Sequence, residues 1–374
     1  MARPSTAPSP APDRRSRVPA TAPLEAAADA ATSAPSVHNT QPWRIVLHTD
    51  RLELFADRAR QLPVLDPLGR ALTLSVGAAL FNARVALAAA GVAVRVDRLP
   101  DLDGNPQLMA VLRPVDGPAD PALATLAPAV RRRRTNRRRY APGRVPEDLL
   151  RVLVAAAAAE ETTLVPVTRD HHVRLLARLT QQADGMQNAD PAYRAELRRW
   201  TNRDPRAGDG VPASAVPHVD GHQHDALPVR DFDTAGAGLL PPDTDSGTHQ
   251  TLVVLATPRD DLSAWLRCGE ALERVLLELT THGWVAGPLT QAVEVPVTRT
   301  QLRAALTWDT HPQAVLRIGR APATSPTPRR PRATVVENSA ASTGRQITGR
   351  VQPAAPARTP ARPVPDGRGG TTWR

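Results

Sequence analysis

The sequence contains no lysine, so all 47 of its basic residues are arginine. Aromatic residues make up only 3% of the 374 residues, which means that the core is built mainly from Ala, Leu and Val. A single cysteine, Cys268, excludes an internal disulfide and a cysteine-based metal cluster. There is no run of about 18 apolar residues and no apolar signal-peptide segment near the N-terminus. We therefore expect a soluble, cytoplasmic protein with no membrane partner.

The net charge of +10 is concentrated at the two ends of the chain. Residues 1–22 contain four Arg and one Asp, and residues 321–374 contain nine Arg and two acidic residues. The stretch 23–320 is therefore neutral. A nucleic-acid binder usually has a basic folded body, and single-strand binders also have aromatic platforms. The sequence has two Tyr and three Phe, so we expect no nucleic-acid partner.

The hydrophobic pattern divides the chain into two halves between two tails. Residues 1–22 and 337–374 are rich in Pro and Arg and are predicted to be disordered. A first half is expected over 23–128 and a second over 129–336, the latter interrupted by a lid-like loop at about 201–250. Helices are predicted at 24–32, 72–90, 146–159, 170–187 and 191–200, and strands at 44–48, 51–55, 92–96, 108–113, 163–168 and 251–256.

An internal repeat links the two halves. Four residues recur at one constant offset of 192 positions: Gly77, Ala79, Leu80 and Gly91 match Gly269, Ala271, Leu272 and Gly283. Each copy reads as an apolar helix that ends at a glycine suited to a left-handed C-cap. The pattern predicts a duplicated helix.

The strongest local signal is the loop 34–43, Ala-Pro-Ser-Val-His-Asn-Thr-Gln-Pro-Trp. Its two prolines enclose polar groups that can face a planar heterocycle, with the Ser36 hydroxyl and the Asn39 amide among them. The alternative is a simple turn from helix to strand, closed by the packing of Trp43. His38 in this loop reads as a structural hydrogen-bonding residue.

A second signal is the arginine run 131–139, which Thr135 and Asn136 interrupt. Several guanidinium groups with a hydroxyl between them can hold a phosphate through charge-assisted hydrogen bonds. The alternatives are a solvated linker and a nucleic-acid patch.

Other candidate sites are weaker. His218, His222 and His224 lie in a loop without a fourth ligand, so no metal site is expected. Cys268 lies on a predicted apolar helix and reads as a small buried hydrophobe. No phosphate-binding loop or dinucleotide fingerprint is present, so a nicotinamide would bind only transiently.

The two signals together resemble the nitroreductase superfamily. Pro35 and Ser36, with Asn39, Gln41 and Trp43, resemble its flavin-contacting loop. The string 133–137, Arg-Arg-Thr-Asn-Arg, resembles its phosphate element. Here the phosphate element follows the loop instead of preceding it. This order, together with Thr-Pro-Arg-Arg-Pro at 327–331, is similar to the Acg-type branch, whose single chains contain two halves that imitate a nitroreductase dimer.

The resemblance implies an α+β fold that is duplicated in one chain, with sheets packed against helices. It implies one FMN site, so a monomer would suffice. Its implied cofactor-binding residues are Pro35, Ser36, Asn39, Gln41, Arg133, Arg134, Thr135, Arg137, Leu289, Thr290 and Arg329. Leu289 and Thr290 would lie near flavin N5, and Arg329 would close over the phosphate.

The activity that the resemblance implies is NAD(P)H-dependent reduction of a small-molecule electron acceptor, a nitroaromatic or quinone. The flavin would carry the chemistry, so no catalytic side chain is assigned. The alternative is a flavin-sequestering or storage protein with little turnover, in which the lid stays over the site.

Overall fold

The computed structural model describes residues 21–137, 140–201, 203–216, 227, 230, 232, 250–322, 324 and 326–339, and two short strands near the C-terminus. Residues 1–20 and most of the tail predicted at 337–374 lie outside the described residues. So does most of the predicted lid. The chain divides into two units, Met1–Ser339 and Ala340–Arg374.

The first half of the larger unit is a sheet covered by two helices. Its elements are α1 (Thr21–Thr32), β1 (Trp43–Leu47), β2 (Leu52–Ala56), α2 (Arg70–Ala89), β3 (Val94–Arg98) and β4 (Leu108–Pro114). The strands are antiparallel in the order β3-β4-β2-β1. Two short helices, α3 (Pro121–Ala124) and α4 (Ala127–Arg132), then lie in the predicted connection between the halves.

The second half repeats this plan with insertions. Its elements are α5 (Glu147–Ala158), β5 (Thr163–Val167), α6 (Asp170–Asn188), α7 (Pro191–Thr201), β6 (Thr251–Thr257), α8 (Leu262–Thr281), β7 (Val285–Pro288), α9 (Gln291–Glu294), α10 (Pro296–Leu302) and β8 (His311–Gly319). Its antiparallel sheet has the order β5-β6-β8-β7. A final strand, β9 (Val336–Asn338), pairs in parallel with β1 of the first sheet.

The two halves have the same topology. α1, β1, β2, α2, β3 and β4 correspond in order to α5, β5, β6, α8, β7 and β8. The second strand of each half has a β-bulge at the same place in its pairing, at Leu54/Phe55 and at Leu255/Ala256. The predicted α+β class and the predicted repeat of one helix agree with this arrangement.

The repeated helices α2 and α8 cross at their glycines. A Cβ on Gly77 would lie 2.2 Å from the carbonyl oxygen of Leu266, and one on Gly269 would lie 2.2 Å from that of Leu74. Only glycine allows two helix backbones to approach so closely. Each helix is 20 residues long. Gly91, which follows α2, has a positive φ of 73°, and Gly283, which follows α8, has a positive φ of 72°. The contact is reciprocal, as expected for two copies of one element.

Each sheet packs its apolar face against its own helices. Trp43 and Leu80 belong to the cluster under α1 and α2, and Leu153 and Val253 belong to the cluster under α5 and α8. By length and composition α2 is long and apolar enough to cross a membrane. However, 83% of its most apolar stretch is buried inside the protein, as in the core helix of a globular protein. Cys268 is also buried, and burial raises the pKa of its thiol to about 12.

A buried ion network joins the halves beside the helix crossing. Arg84 donates to Glu160 and Glu270 at 2.7 Å each. Arg98 donates two hydrogen bonds to Glu270, at 2.7 and 2.8 Å, and Arg274 donates one to Glu160 at 2.9 Å. Both carboxylates are buried, and each is bound by two arginines, so the network neutralises two buried charges at the contact between the halves.

The smaller unit contains two described strands, β10 (Pro363–Pro365) and β11 (Thr371–Trp373), which pair antiparallel. In the larger unit, every helix and strand predicted from the sequence is present with ends shifted by a few residues. The elements of this unit that were not predicted include α3, α4, α9, α10, β7, β8 and β9.

Candidate functional site

The loop between α1 and β1 is fixed by its own hydrogen bonds and by unusual backbone angles. The Ser36 hydroxyl accepts a hydrogen bond from the backbone N–H of Gln41 at 2.9 Å. The hydroxyl of Ser75 in α2 accepts one from the backbone N–H of Val37 at 3.2 Å. His38, Asn39 and Gln41 have positive φ angles of 44°, 54° and 50°. Non-glycine residues in this region are uncommon and occur often at functional sites.

A first cavity of about 160 Å³ lies between this loop, α2 and the second sheet. It brings together six of the residues that the sequence singled out: Pro35, Ser36, Thr135, Arg137, Leu289 and Thr290. Apolar groups from α8 and β7, such as Leu276 and Ala286, form part of its wall. Such a mixture of apolar wall and few polar groups is typical of small-molecule sites.

The first cavity is rich in positive charge. Arg70, Arg137, Arg230 and Arg317 line it, and Glu294 is the carboxylate among its lining residues. Burial lowers the pKa of Arg70 and of Arg137 to about 10, so both remain protonated at neutral pH. Arg70 donates to the carbonyl oxygens of Gln313 and Val293 at 2.6 Å each. The cavity therefore favours a ligand with many hydrogen-bond acceptors.

A second cavity of about 660 Å³ adjoins the first at Thr135, which lines both. Arg133, Arg134 and Arg329 line it. Arg133 is 4% exposed, with its Nε 3.4 Å from a carboxylate oxygen of Glu273. Burial raises the pKa of Glu273 to about 7, although Arg133 opposes the shift. This cavity is suited to an anion.

Arg329 reaches the second cavity from the C-terminal segment. Its guanidinium donates to the carbonyl oxygens of Thr32, Ser33 and Ala34 at 3.0 to 3.2 Å. Burial, with the nearby charge of Arg133, lowers its pKa to about 9. The segment is thus attached to the C-terminal end of α1, and the guanidinium lies beside Arg133.

Asn39 and Gln41 are not among the lining residues of either cavity. The Asn39 amide donates to the carbonyl oxygens of Gly210 and Pro328 at 2.9 and 3.0 Å. The side-chain amide of Gln41 donates to the carbonyl oxygen of Gly208 at 2.8 Å, and its oxygen accepts from the backbone N–H of Arg330 at 2.9 Å. These two side chains connect the loop to the segments on either side of it.

Residues from the predicted lid line the first cavity, and sequence reasoning did not select them. Arg230, 7% exposed, donates to Glu294 at 2.6 Å and to the Tyr193 hydroxyl. Burial alone would raise the pKa of Glu294, but the charge of Arg230 and its hydrogen bond hold that pKa at about 2. The Arg137 guanidinium lies over the ring of Phe232, with Arg137 Cζ 5.4 Å from the ring centroid. Glu294 is only four residues beyond Thr290, which the resemblance assigned to the site, and this proximity could have drawn attention to it.

Buried donors in both cavities point to an acceptor-rich occupant. Among the described residues, Arg133 Nη1, Arg137 Nη1 and Gln291 Nε2 have no hydrogen-bond partner. Each such orphaned group costs about 1–3 kcal/mol. A planar heterocycle with carbonyl oxygens in the first cavity, carrying a phosphate in the second, would satisfy them. The described residues contain no group of three or more metal-ligating side chains, and His218, His222 and His224 lie outside them.

No family model matches the chain. It is 37% identical over 317 residues to a Mycobacterium tuberculosis protein provisionally named as an NAD(P)H nitroreductase, covering 82% of this chain and 89% of that protein. It is 32% identical over 318 residues to the Mycobacterium tuberculosis protein Acg, which has the same provisional name, covering 82% of this chain and 93% of Acg. The chain belongs to the Acg branch of the nitroreductase superfamily.

Two nitroreductases are among the solved structures with a weak similarity to this chain. The FMN and NADPH-dependent nitroreductase NfnB from a Sphingopyxis species is 20% identical, with a TM-score of 0.36, covering 57% of this chain and 97% of NfnB. A Bacteroides fragilis nitroreductase with bound FMN is 17% identical, with a TM-score of 0.33, covering 53% of this chain and 88% of that protein.

Proposed function

We propose that this protein is an FMN-dependent NAD(P)H oxidoreductase of the cytoplasm, which reduces nitroaromatic or quinone acceptors. The observation that carries the proposal is the position of the 133–137 segment. Its Arg133 end lines the second cavity, its Arg137 end lines the first, and Thr135 lines both. FMN held by these residues would supply hydride-transfer chemistry between a nicotinamide and the acceptor.

The two cavities suggest how the chain would hold the cofactor. Arg133, Arg134 and Arg329 would bind the phosphate in the second cavity, with the Thr135 hydroxyl at the junction. The ring system would lie in the first cavity against Pro35 and Leu289. Arg137 would then face the ring rather than the phosphate, a different role from the one predicted by resemblance. A cation beside the ring stabilises negative charge that accumulates there on reduction.

One cofactor per chain follows from the unequal contributions of the two halves. The Pro-Ser loop is in the first half and the Arg-Thr segment begins the second, so one complete set is available. We propose accordingly that residues 23–128 and 129–336 act as the two subunits of an internal dimer and that the monomer suffices. The shared topology of the halves supports this proposal.

Reconstitution with FMN tests the proposed function. We expect the purified chain to retain about one FMN per polypeptide, measured as released flavin absorbance against protein concentration. Size-exclusion chromatography with light scattering gives the mass of the holoprotein. Failure to bind FMN would reject the proposal, and two FMN per chain would reject the internal-dimer arrangement.

The alternative, a flavin-storage protein with little turnover, is favoured by the ion pair between Arg230 and Glu294. This pair is buried, and it connects the predicted lid to α9 beside Thr290. The Glu294 pKa is depressed, so the pair stabilises the covered state fully above the ordinary carboxyl pKa. That stabilisation is lost only as pH falls towards about 2. The cover would hold equally well from pH 5 to 8.

Glu294→Gln should weaken this cover. Removing one partner of a buried ion pair costs about 3–5 kcal/mol, so we expect NADPH to bleach the bound flavin at least about tenfold faster. Stopped-flow absorbance measures the rate, and Arg259→Ala, at an exposed ion pair, is the control. Equally slow bleaching in Glu294→Gln would mean that the site itself prevents hydride transfer, which favours storage.

A further inference from the structure

We propose that His38 is an acceptor-binding residue, whose imidazole hydrogen-bonds to an oxygen of a planar aromatic electron acceptor in the first cavity. The proposal rests on the proposed function and identifies the part of the cavity that recognises the acceptor. The sequence suggested that this histidine is a structural hydrogen-bonding residue.

The geometry of His38 is inconsistent with a purely structural role. The residue lines the first cavity and is 8% exposed, and its Nδ1 has no hydrogen-bond partner among the described residues. Its φ of 44° places the backbone in the left-handed region, which is unfavourable for most residues that carry a β-carbon. A buried imidazole with an unused nitrogen, held in a strained conformation toward a cavity, indicates a ligand contact.

The neighbours of His38 define the ligand. Phe232 lies edge-on to the imidazole with ring centroids 5.9 Å apart, and it provides an aromatic surface for a planar ring. Arg137 supplies positive charge nearby, while Arg230 and Glu294 are paired with each other. These groups offer donors and an aromatic face. They suit a ring bearing nitro, carboxylate or quinone oxygens, and they disfavour a cation.

The imidazole is neutral while it performs this role. Burial, together with the charges of Arg230 and Arg137, lowers its pKa to about 3, although Glu294 acts in the opposite direction. A neutral imidazole has one donor and one acceptor nitrogen, and the tautomer with Nδ1–H donates to the ligand oxygen. Ligand affinity should therefore be independent of pH between 5 and 8.

The test uses oxidised FMN-loaded protein and 4-nitrobenzoate, which binds without turnover when no reductant is present. Its binding is measured from the change in the flavin absorbance band. His38→Gly removes the side chain while glycine accepts the positive φ, and His38→Asn keeps a donor on a residue that tolerates that φ. His282→Ala, an exposed histidine after α8, is the matched control.

We expect His38→Gly to bind 4-nitrobenzoate about tenfold more weakly, as for the loss of one hydrogen bond. His38→Asn should remain within about threefold of the unmodified protein, and His282→Ala should be unchanged. All variants should retain FMN. Equal affinity in His38→Gly, or no binding of 4-nitrobenzoate by the unmodified holoprotein, would overturn the inference. Loss of FMN from both His38 variants would also overturn it, because His38 would then belong to the flavin site. Absence of FMN from the unmodified protein would instead overturn the proposed function.

Discussion

Arg133→Ala combined with Arg329→Ala is expected to weaken FMN binding at least about a hundredfold. Each charge-assisted contact to a phosphate contributes about 1.5–3 kcal/mol, and the two guanidinium groups line the same cavity. Calorimetric titration with FMN measures the change. The fold should tolerate the Arg133 change because Glu273, whose pKa is already about 7, becomes protonated when its neighbouring cation is lost.

Arg332→Ala is the control for this experiment. Arg332 lies on the same C-terminal segment, but it is exposed and pairs with Asp29 at 2.6 Å. We expect the Arg332→Ala protein to bind FMN with unchanged affinity. If the double variant retained FMN while circular dichroism showed a native fold, the phosphate would have to bind elsewhere, and the second cavity would lose its proposed role.

Gly77→Ala is expected to destabilise the whole larger unit by about 3 kcal/mol or more. The new β-carbon would lie 2.2 Å from a backbone oxygen of α8, and a backbone cannot move aside as a flexible side chain can. The two helices would separate, and the sheets that pack on them would shift. Chemical denaturation measures the loss, and Gly269→Ala should give a loss of similar size because the contact is reciprocal.

Gly185→Ala separates this effect from the intrinsic preference of helices. Gly185 lies inside α6, and a β-carbon there would meet nothing within 4 Å. We expect this variant to be stabilised by about 0.5–1 kcal/mol, since alanine forms helices better than glycine. A Gly77→Ala protein as stable as the parent would mean that the two helices cross elsewhere.

Local patterns were sufficient to predict much of the fold. The apolar spacing of α2 and the glycines at a constant offset predicted a repeated helix, because one amphipathic element keeps its pattern wherever it is placed. The strands β7 and β8 were missed. β8 is as buried as β6, which was predicted, but a proline, a glutamine and an arginine interrupt the apolar run of β8.

The candidate site was harder to predict because it is assembled from distant segments. Pro35 and Thr135 come from motifs with fixed spacing, and both line the first cavity. Arg230 and Phe232 come from a polar stretch without periodicity, so no pattern distinguishes them from their neighbours. Their importance follows from tertiary contacts with Glu294 and His38.

The parallel pairing of β9 with β1 has a consequence for the order of assembly. Ile45 of β1 pairs with Val336 of β9. The fifth strand of the first sheet is therefore translated nearly three hundred residues after β1. Domains generally fold during synthesis from the N-terminus, and contacts between distant residues form late. Arg329 lies just before this strand. A nascent chain could therefore form the four antiparallel strands of each sheet while the first sheet still lacked β9 and the second cavity still lacked Arg329. Cofactor capture would then be among the last events of maturation.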